Sequence, residues 1–199
     1  ESLDILNDIS RKEIPSKLLS SYYYSLKEGY SELSYYSSIP ENKHKYYWLH
    51  KNYQDSLAVV LPENSDELLR LREKEFRDER QLEKALKIND KRLMGKKSGT
   101  RIYSLITFER SLLYELANNR NLEKKFLILS SISDIQASVK DNASLAKLAM
   151  RLYEEKKIFK AHQYINFSLD DAKFFNSKLR FINLSNILPV ITEAYEREN

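Results

Sequence analysis

This sequence predicts an all-α fold, with antiparallel helical hairpins stacked as a tetratricopeptide-like α-solenoid. Three observations carry the prediction. The 199 residues include only three glycines and four prolines, and they favour Leu, Lys and Glu over Val, which suits helices rather than sheets. Between Ala143 and Phe175, Leu145, Leu148, Ala149 and Leu152 recur at helical spacing. A polar break at 154–157 follows, and then Ala161, Ile165 and Ser168 fall where the second helix of a tetratricopeptide hairpin packs small and apolar side chains. Aligning Leu113-Tyr114 with Leu152-Tyr153 gives a repeat of about 39 residues. Stacks of this kind build binding surfaces.

The chain reads as one helical-repeat domain over 1–199. A Tyr-rich hairpin fills 1–61. Leu3, Leu6 and Ile9 form a short first pattern, and Pro15 suits the first turn of the next helix. That helix, 17–38, carries Leu19, Tyr22, Tyr23, Leu26, Tyr30 and Leu33 on one face, with Gly29 marking a close approach. Pro40 ends it. Residues 41–61 return, with Tyr46, Tyr47, His50, Tyr53, Leu57 and Leu61 facing inward, up to Pro62.

Residues 64–94 form a charged helix or kinked helix pair, with 17 charged side chains in the 29 residues from Asp66 to Met94. Asn64-Ser65-Asp66-Glu67 starts it, and the six-residue step from Phe76 to Leu82 places a kink or tight turn near 78–80. The run at 70–92 reads as a solvated face, or otherwise as a docking stripe for a partner helix. Residues 95–99 are a flexible glycine-bearing loop. Hairpins follow at 100–139 and 142–175. Thr100 caps the first, a turn at 118–121 divides it, and Asp141-Asn142 caps the second. A terminal capping helix over 177–196 is kinked at Pro189.

Composition narrows the function. With no cysteine, disulfide and thiolate chemistry are excluded. No apolar run approaches the roughly 20 residues of a membrane span. The net charge of +4 is a balance of 33 basic and 29 acidic residues, which suits a solvated helical surface more than a nucleic-acid footprint. The chain starts at Glu1 without Met and reads as a piece of something longer.

Few residues suggest chemistry. His44, His50 and His162 lack metal-ligand spacing, and residues 95–99 lack the second half of a phosphate loop and a preceding strand. Asp134, Asp170 and Asp171 read as helix-surface carboxylates without a paired His or nucleophile. No enzyme, cofactor or metal is expected. The aromatics stand out instead, because nine of the fourteen tyrosines and the single tryptophan lie between Tyr22 and Tyr53. Tyr22, Tyr23, Tyr30, Tyr46, Tyr47 and Tyr53 suit a helix seam. Tyr24, Tyr35, Tyr36 and Trp48 fall off the apolar faces and are the candidate ligand-binding residues, for a sugar, a peptide or a partner protein. Pro189 and Tyr195, on the exit helix, are the candidates for signal transmission.

Several segments carry a family resemblance. Residues 134–145 (Asp134-Ile135-Gln136-Ala137-Ser138-Val139-Lys140-Asp141-Asn142-Ala143-Ser144-Leu145), 164–172 (Tyr164 to Ala172), 187–189, 86–93 and 108–114 resemble sequences of membrane-spanning regulators of Bacteroidetes. Over roughly 16–195 the chain looks like the sensor half of a transcription regulator of the SusR type, which controls starch utilisation. The resemblance implies a periplasmic portion of an inner-membrane protein, with a membrane anchor soon after Tyr195 and the DNA-binding region beyond it. This fragment would then bind no nucleic acid itself, and its ligand would be an oligosaccharide, maltose or larger. The motifs do not separate the starch regulator from relatives at other glycan loci.

Three readings stay open. The first is a ligand-sensing domain of a regulator of polysaccharide use, signalling through its C-terminal helix. The second is a tetratricopeptide scaffold without a small-molecule ligand, binding a partner protein or another copy of itself. A cytosolic nucleic-acid-binding repeat rests only on the pI of about 9.0.

Overall fold

The computed structural model describes residues 2–139 and 143–198, and every regular element among them is helical. The fold is an all-α, tetratricopeptide-like helical repeat. The chain forms two compact units, residues 1–72 and 73–199.

The first unit holds α1 (Ser2–Asp8), 3-10 turns at Arg11–Glu13 and Ser16–Leu18, α2 (Leu19–Tyr36) and α3 (Pro40–Val60), and it takes in the start of α4 (Asp66–Asp78). Pro40 is the first residue of α3, where its missing N–H leaves no bond unmade. Helices α2 and α3 form an antiparallel pair around Tyr23, Leu26, Tyr30 and Leu57. The Tyr30 ring stacks on Tyr53 at 5.6 Å and on Tyr46 at 6.1 Å, so tyrosines do make much of this seam. Tyr47 does not join it and is exposed, contrary to the sequence reading. Gly29 marks a true close approach, since a Cβ there would come within 2.7 Å of Leu3 on α1. Ser65 starts α4 by accepting a hydrogen bond from the Leu68 amide at 3.2 Å.

The second unit continues through α5 (Leu82–Leu93), α6 (Arg101–Leu116), α7 (Arg120–Gln136), α8 (Ser144–Glu154), α9 (Ile158–Phe174), α10 (Lys178–Ser185) and α11 (Leu188–Glu198). Residues 64–94 are thus two helices joined by a tight turn at Arg80, whose φ is +62°. That turn belongs to a series. Arg80, Asn118 and Lys156 each adopt positive φ and follow one another by 38 residues, as Ser138 and Asn176 also do. At each, the next amide bonds a carbonyl five residues back: Gln81 to Phe76, Asn119 to Tyr114, Lys157 to Leu152, Val139 to Asp134 and Ser177 to Ala172. This left-handed helix stop satisfies carbonyls that would otherwise lack a partner. The structural repeat is therefore 38 residues, one fewer than the sequence alignment suggests, because Tyr114 rather than Leu113 is the counterpart of Leu152.

Thr100 and Asn119 cap α6 and α7 by accepting from the amides of Tyr103 and Leu122. The expected Asp141–Asn142 cap lies outside the described residues. The 95–99 connector is held rather than free. The Gly99 amide donates to Ser133 Oγ at 3.2 Å, and a Cβ on Gly99 would meet Gln136 at 2.6 Å. The core of this unit joins Leu127, Leu145, Leu148, Leu152, Ala149, Ala161, Ile165, Leu184 and Ile191. The expected single terminal helix is two helices. The chain breaks at Asn186–Ile187, and Pro189 is the second residue of α11, where it is compatible with a helix start but not with a continuous helix through it.

Two sequence readings about charge are corrected. The 70–92 run is not simply a solvated face, because Glu73 and Arg92 are fully buried. The Arg92 guanidinium donates to Glu73 Oε2 at 2.5 Å and to Glu109 Oε2 at 2.6 Å, while Asn89 Nδ2 donates to Glu73 Oε1 at 3.0 Å and to the Ile106 carbonyl at 3.1 Å. Asp134 and Asp171 are likewise buried, not on the surface. Glu109, which meets Arg92, comes from α6 in the next hairpin, and Asp134 is met by Ser104 of α6 and Ser144 of α8.

Candidate functional site

The four candidate binding aromatics are all exposed: Tyr24 48%, Tyr35 74%, Tyr36 50% and Trp48 55%. The α2–α3 pairing already fills the seam with other tyrosines, so these rings face water. They fall into local groups. Tyr35 packs edge-on to Tyr36 with centroids 5.0 Å apart. Trp48 packs edge-on to Tyr47 at 6.3 Å, and its indole N–H donates to His44 Nε2 at 2.9 Å. That contact follows from the four-residue spacing of His44 and Trp48 along α3. The Lys27 ammonium lies 5.4 Å from the Tyr24 ring. Beneath this surface, burial raises the Tyr53 phenol above its ordinary pKa, with Tyr30, Tyr22 and Tyr23 adding to the effect, so the seam stays uncharged.

The two candidate transmission residues sit on α11. Pro189 is exposed. Tyr195 is half-buried against α9, its ring stacked on His162 at 3.9 Å with the planes 5° apart, and Phe159 lies 6.2 Å away. One turn further along the same face of α9 is Asn166, whose Nδ2 is 3.0 Å from His162 Nε2. Ile191 of the terminal helix packs into the core with Ala161 and Ile165.

A concave feature that the sequence reading missed lies in the second unit. Helices α7, α8 and α9 enclose a groove of about 550 Å³. Its floor is Leu145, Leu148 and Leu152 of α8, and one wall is Ile128, Ile132 and Ile135 of α7. Tyr164 and Phe167 of α9 form the other wall. Lys124, Lys157 and Lys160 stand at one end. Glu155 accepts from Lys124 at 2.6 Å and from Lys157 at 2.7 Å, and these bonds lower its carboxyl pKa. The signal was present in the sequence. Ile128, Ile132 and Ile135 follow helical spacing on α7, but on a different face from the buried Leu127, Ser130, Ser131 and Asp134.

Three buried polar clusters tie helices of this unit together, and the first two hold helices that form the groove. Asp134 accepts from the hydroxyls of Ser104 and Ser144, which ties α7 to α6 and α8. Burial raises its carboxyl pKa, while those hydrogen bonds pull it back down. Arg151 on α8 donates to Glu123 on α7 at 2.7 Å and to Glu115 on α6 at 3.1 Å. Glu123 stands midway between Ala85 and Ala161 in the 38-residue register, and all three are fully buried. Among the described residues its Oε2 accepts no hydrogen bond, and burial together with Glu115 raises its pKa. The third cluster is Glu73–Arg92–Glu109. Burial raises the Glu73 pKa against the pull of Arg92, with Glu109 adding to the rise.

No group of His, Cys, Asp and Glu among the described residues is arranged to hold a metal ion, and no described helix is long and apolar enough to cross a membrane. Comparison with known proteins gives one positive result. The family model described as the SusR N-terminal TPR domain matches residues 1–186. No curated protein and no solved structure matches.

Proposed function

This chain belongs to the family of SusR N-terminal TPR domains, and on that premise we propose that it is a non-catalytic sensor for oligosaccharides. In this reading it lies in the periplasm, as part of a membrane-bound transcription regulator of polysaccharide use, with starch-derived maltooligosaccharides as the ligand class. A membrane anchor follows its C-terminal helix.

The observation that supports the reading is the exposed aromatic surface of α2 and α3. Tyr24, Tyr35, Tyr36 and Trp48 present flat rings to water, and an aromatic ring with an apolar face and a polar tip suits the alternating apolar and hydroxyl surfaces of a sugar. His44 braces the indole, so Trp48 is held ready rather than ordered on binding. A ligand shifts an equilibrium only by its differential affinity for two states. In this proposal the responding element is α11, a short helix set off by the Asn186–Ile187 break and seated on α9 through Tyr195 and His162.

Trp48 is the single tryptophan, so its fluorescence reports the proposed site directly. Maltose to maltoheptaose should change its emission and release or absorb heat in calorimetric titration. Trp48→Ala and Tyr35→Ala should each weaken binding about tenfold or more. Absence of heat and of any emission change at millimolar ligand would sink the reading.

A second reading, a scaffold that binds protein and no small molecule, is favoured by the exposed Phe174 and Phe175 at the end of α9. Light scattering separates the two, because the scaffold reading requires self-association or a stable complex, and a glycan-responsive monomer rules it out.

A further inference from the structure

The groove between α7, α8 and α9 differs chemically from the aromatic surface of the first unit. Its floor is leucine, its walls are isoleucine, tyrosine and phenylalanine, and although Ser131 and Gln163 also line it the groove is predominantly apolar. A sugar laid there would lose water from its hydroxyls with few partners to replace it. The volume of about 550 Å³ lies within the range of small-molecule sites. Along α7, from Lys124 to Ile135, it runs about 16 Å, roughly the length of an extended chain of a dozen carbons.

Charge fixes the orientation. The charged residues lining the groove are Lys124, Lys157 and Lys160, gathered at one end. A shallower depression shares Lys124 and Ile128 with the groove and adds Lys125 beside that end. Against these stands Glu155, which is already bonded to Lys124 and Lys157, while Lys160 has no ion pair among the described residues. Among the described residues, the lining at the far end, Ile135 and Phe167, carries no charge. The complement of such a site has an apolar body and a single negative charge at one end.

We propose that this groove binds one amphipathic anion, an unbranched acyl chain ending in a carboxylate, with the chain lying over Leu145, Leu148 and Leu152 and the head among the lysines. The side-chain layout accounts for each part. The α8 leucines are fixed by the core behind them, so the floor exists before the ligand arrives. The isoleucine wall is exposed in the free protein and loses that exposure on binding, which is the driving force. The head group then completes a rim that Glu155 only partly neutralises. This site is separate from the glycan reading and stands or falls without it.

The test is titration of the 199-residue chain with laurate below its micelle concentration, followed by isoleucine and leucine methyl NMR and calorimetry. Saturation at one equivalent is expected, with shifts confined to Ile128, Ile132, Ile135 and the α8 leucines. Dodecanol, of equal length and without charge, should bind about tenfold more weakly, as should laurate to the double variant Lys157→Glu/Lys160→Glu, given several exposed charge contacts. Ile132→Asp should abolish binding of both. Because Ile132 is exposed, its thermal midpoint should stay unchanged, and Ile132→Ser serves if it does not. The proposal is overturned by a lack of saturable shifts, by shifts spread through the tyrosine-rich helices as in detergent unfolding, or by equal laurate and dodecanol affinity with no effect of lysine reversal. A polypeptide helix as the true occupant would show itself as the first of these. Failure here leaves the Trp48 emission test untouched, and failure of that test leaves this one untouched.

Discussion

The ring of Tyr195 stacks flat on the imidazole of His162, 3.9 Å between centroids, and this contact joins the last helix to α9. An aromatic pair of this kind contributes about 0.5–1.5 kcal/mol beyond its buried area. Tyr195→Ala should therefore speed hydrogen exchange across residues 188–198 while leaving α8 protected. Tyr195→Phe retains the ring and should behave like the parent chain. Equal exchange in all three proteins would show that the stack does not hold α11.

Arg92 lies between two buried carboxylates, and removing it takes the same cation away from both. Arg92→Met should cost about 3–5 kcal/mol and lower the thermal midpoint by about 10 °C. Replacing the triad together, as Arg92→Met with Glu73→Leu and Glu109→Leu, should recover most of that loss. If the single and triple variants melt alike, the carboxylates are not the source of the cost.

Burial holds the carboxyls of Glu73, Glu123 and Asp134 above the ordinary range. The folded chain then keeps protons that the unfolded chain has already released. This contribution to stability is fully present below the ordinary carboxyl pKa and is lost as pH rises through the raised folded values. The expected result is a higher melting temperature at pH 5 than at pH 7.5. Asp134→Asn, measured at both pH values, should reduce the difference.

Gly29 lies in a helix interior, where Ala would be favoured by about 1 kcal/mol but for the Leu3 side chain against it. Gly29→Ala alone should gain less than that, because Leu3 must move. In a Leu3→Ala background the full gain should appear. Urea denaturation of the four proteins of this cycle measures the difference, and additivity would show that Leu3 does not press on the glycine.

Much of this architecture could be read from the sequence, and the reasons are local. Ser65 and Thr100 mark helix starts because their caps act within one turn of themselves, whereas Pro40, read as a helix end, opens α3, and Asn119, read as part of a turn, caps α7. Leu145, Leu148, Ala149 and Leu152 showed their buried face through spacing alone. Arg80 and Lys156 gave no sign of left-handed backbone, because nothing in an Arg or Lys side chain demands it. Arg92 and Glu73 read as solvated because the Glu109 that covers them lies on the next hairpin. On α7, two apolar stripes overlap, and only packing reveals that Leu127 faces the core while Ile132 faces the groove.

The left-handed turns offer a stability test as well. Arg80 and Lys156 hold a conformation that costs an L-residue about 1–2 kcal/mol, of which glycine would return part to unfolded-chain entropy. Arg80→Gly and Lys156→Gly should each stabilise by about 0.5–1 kcal/mol in chemical denaturation. A loss in either would mean that its side chain contributes more than its backbone costs.

Because the joints at Arg80, Asn118 and Lys156 share one backbone form at one interval, each is a seam where the chain can be cut and rejoined in phase. A block copied from one seam to the next would arrive with its own helix stop and meet the same hydrogen-bonding carbonyl. Growth of such a protein by tandem duplication would therefore need no new turn, and the fully buried Glu123, set between Ala85 and Ala161, is a core position at which the repeats differ.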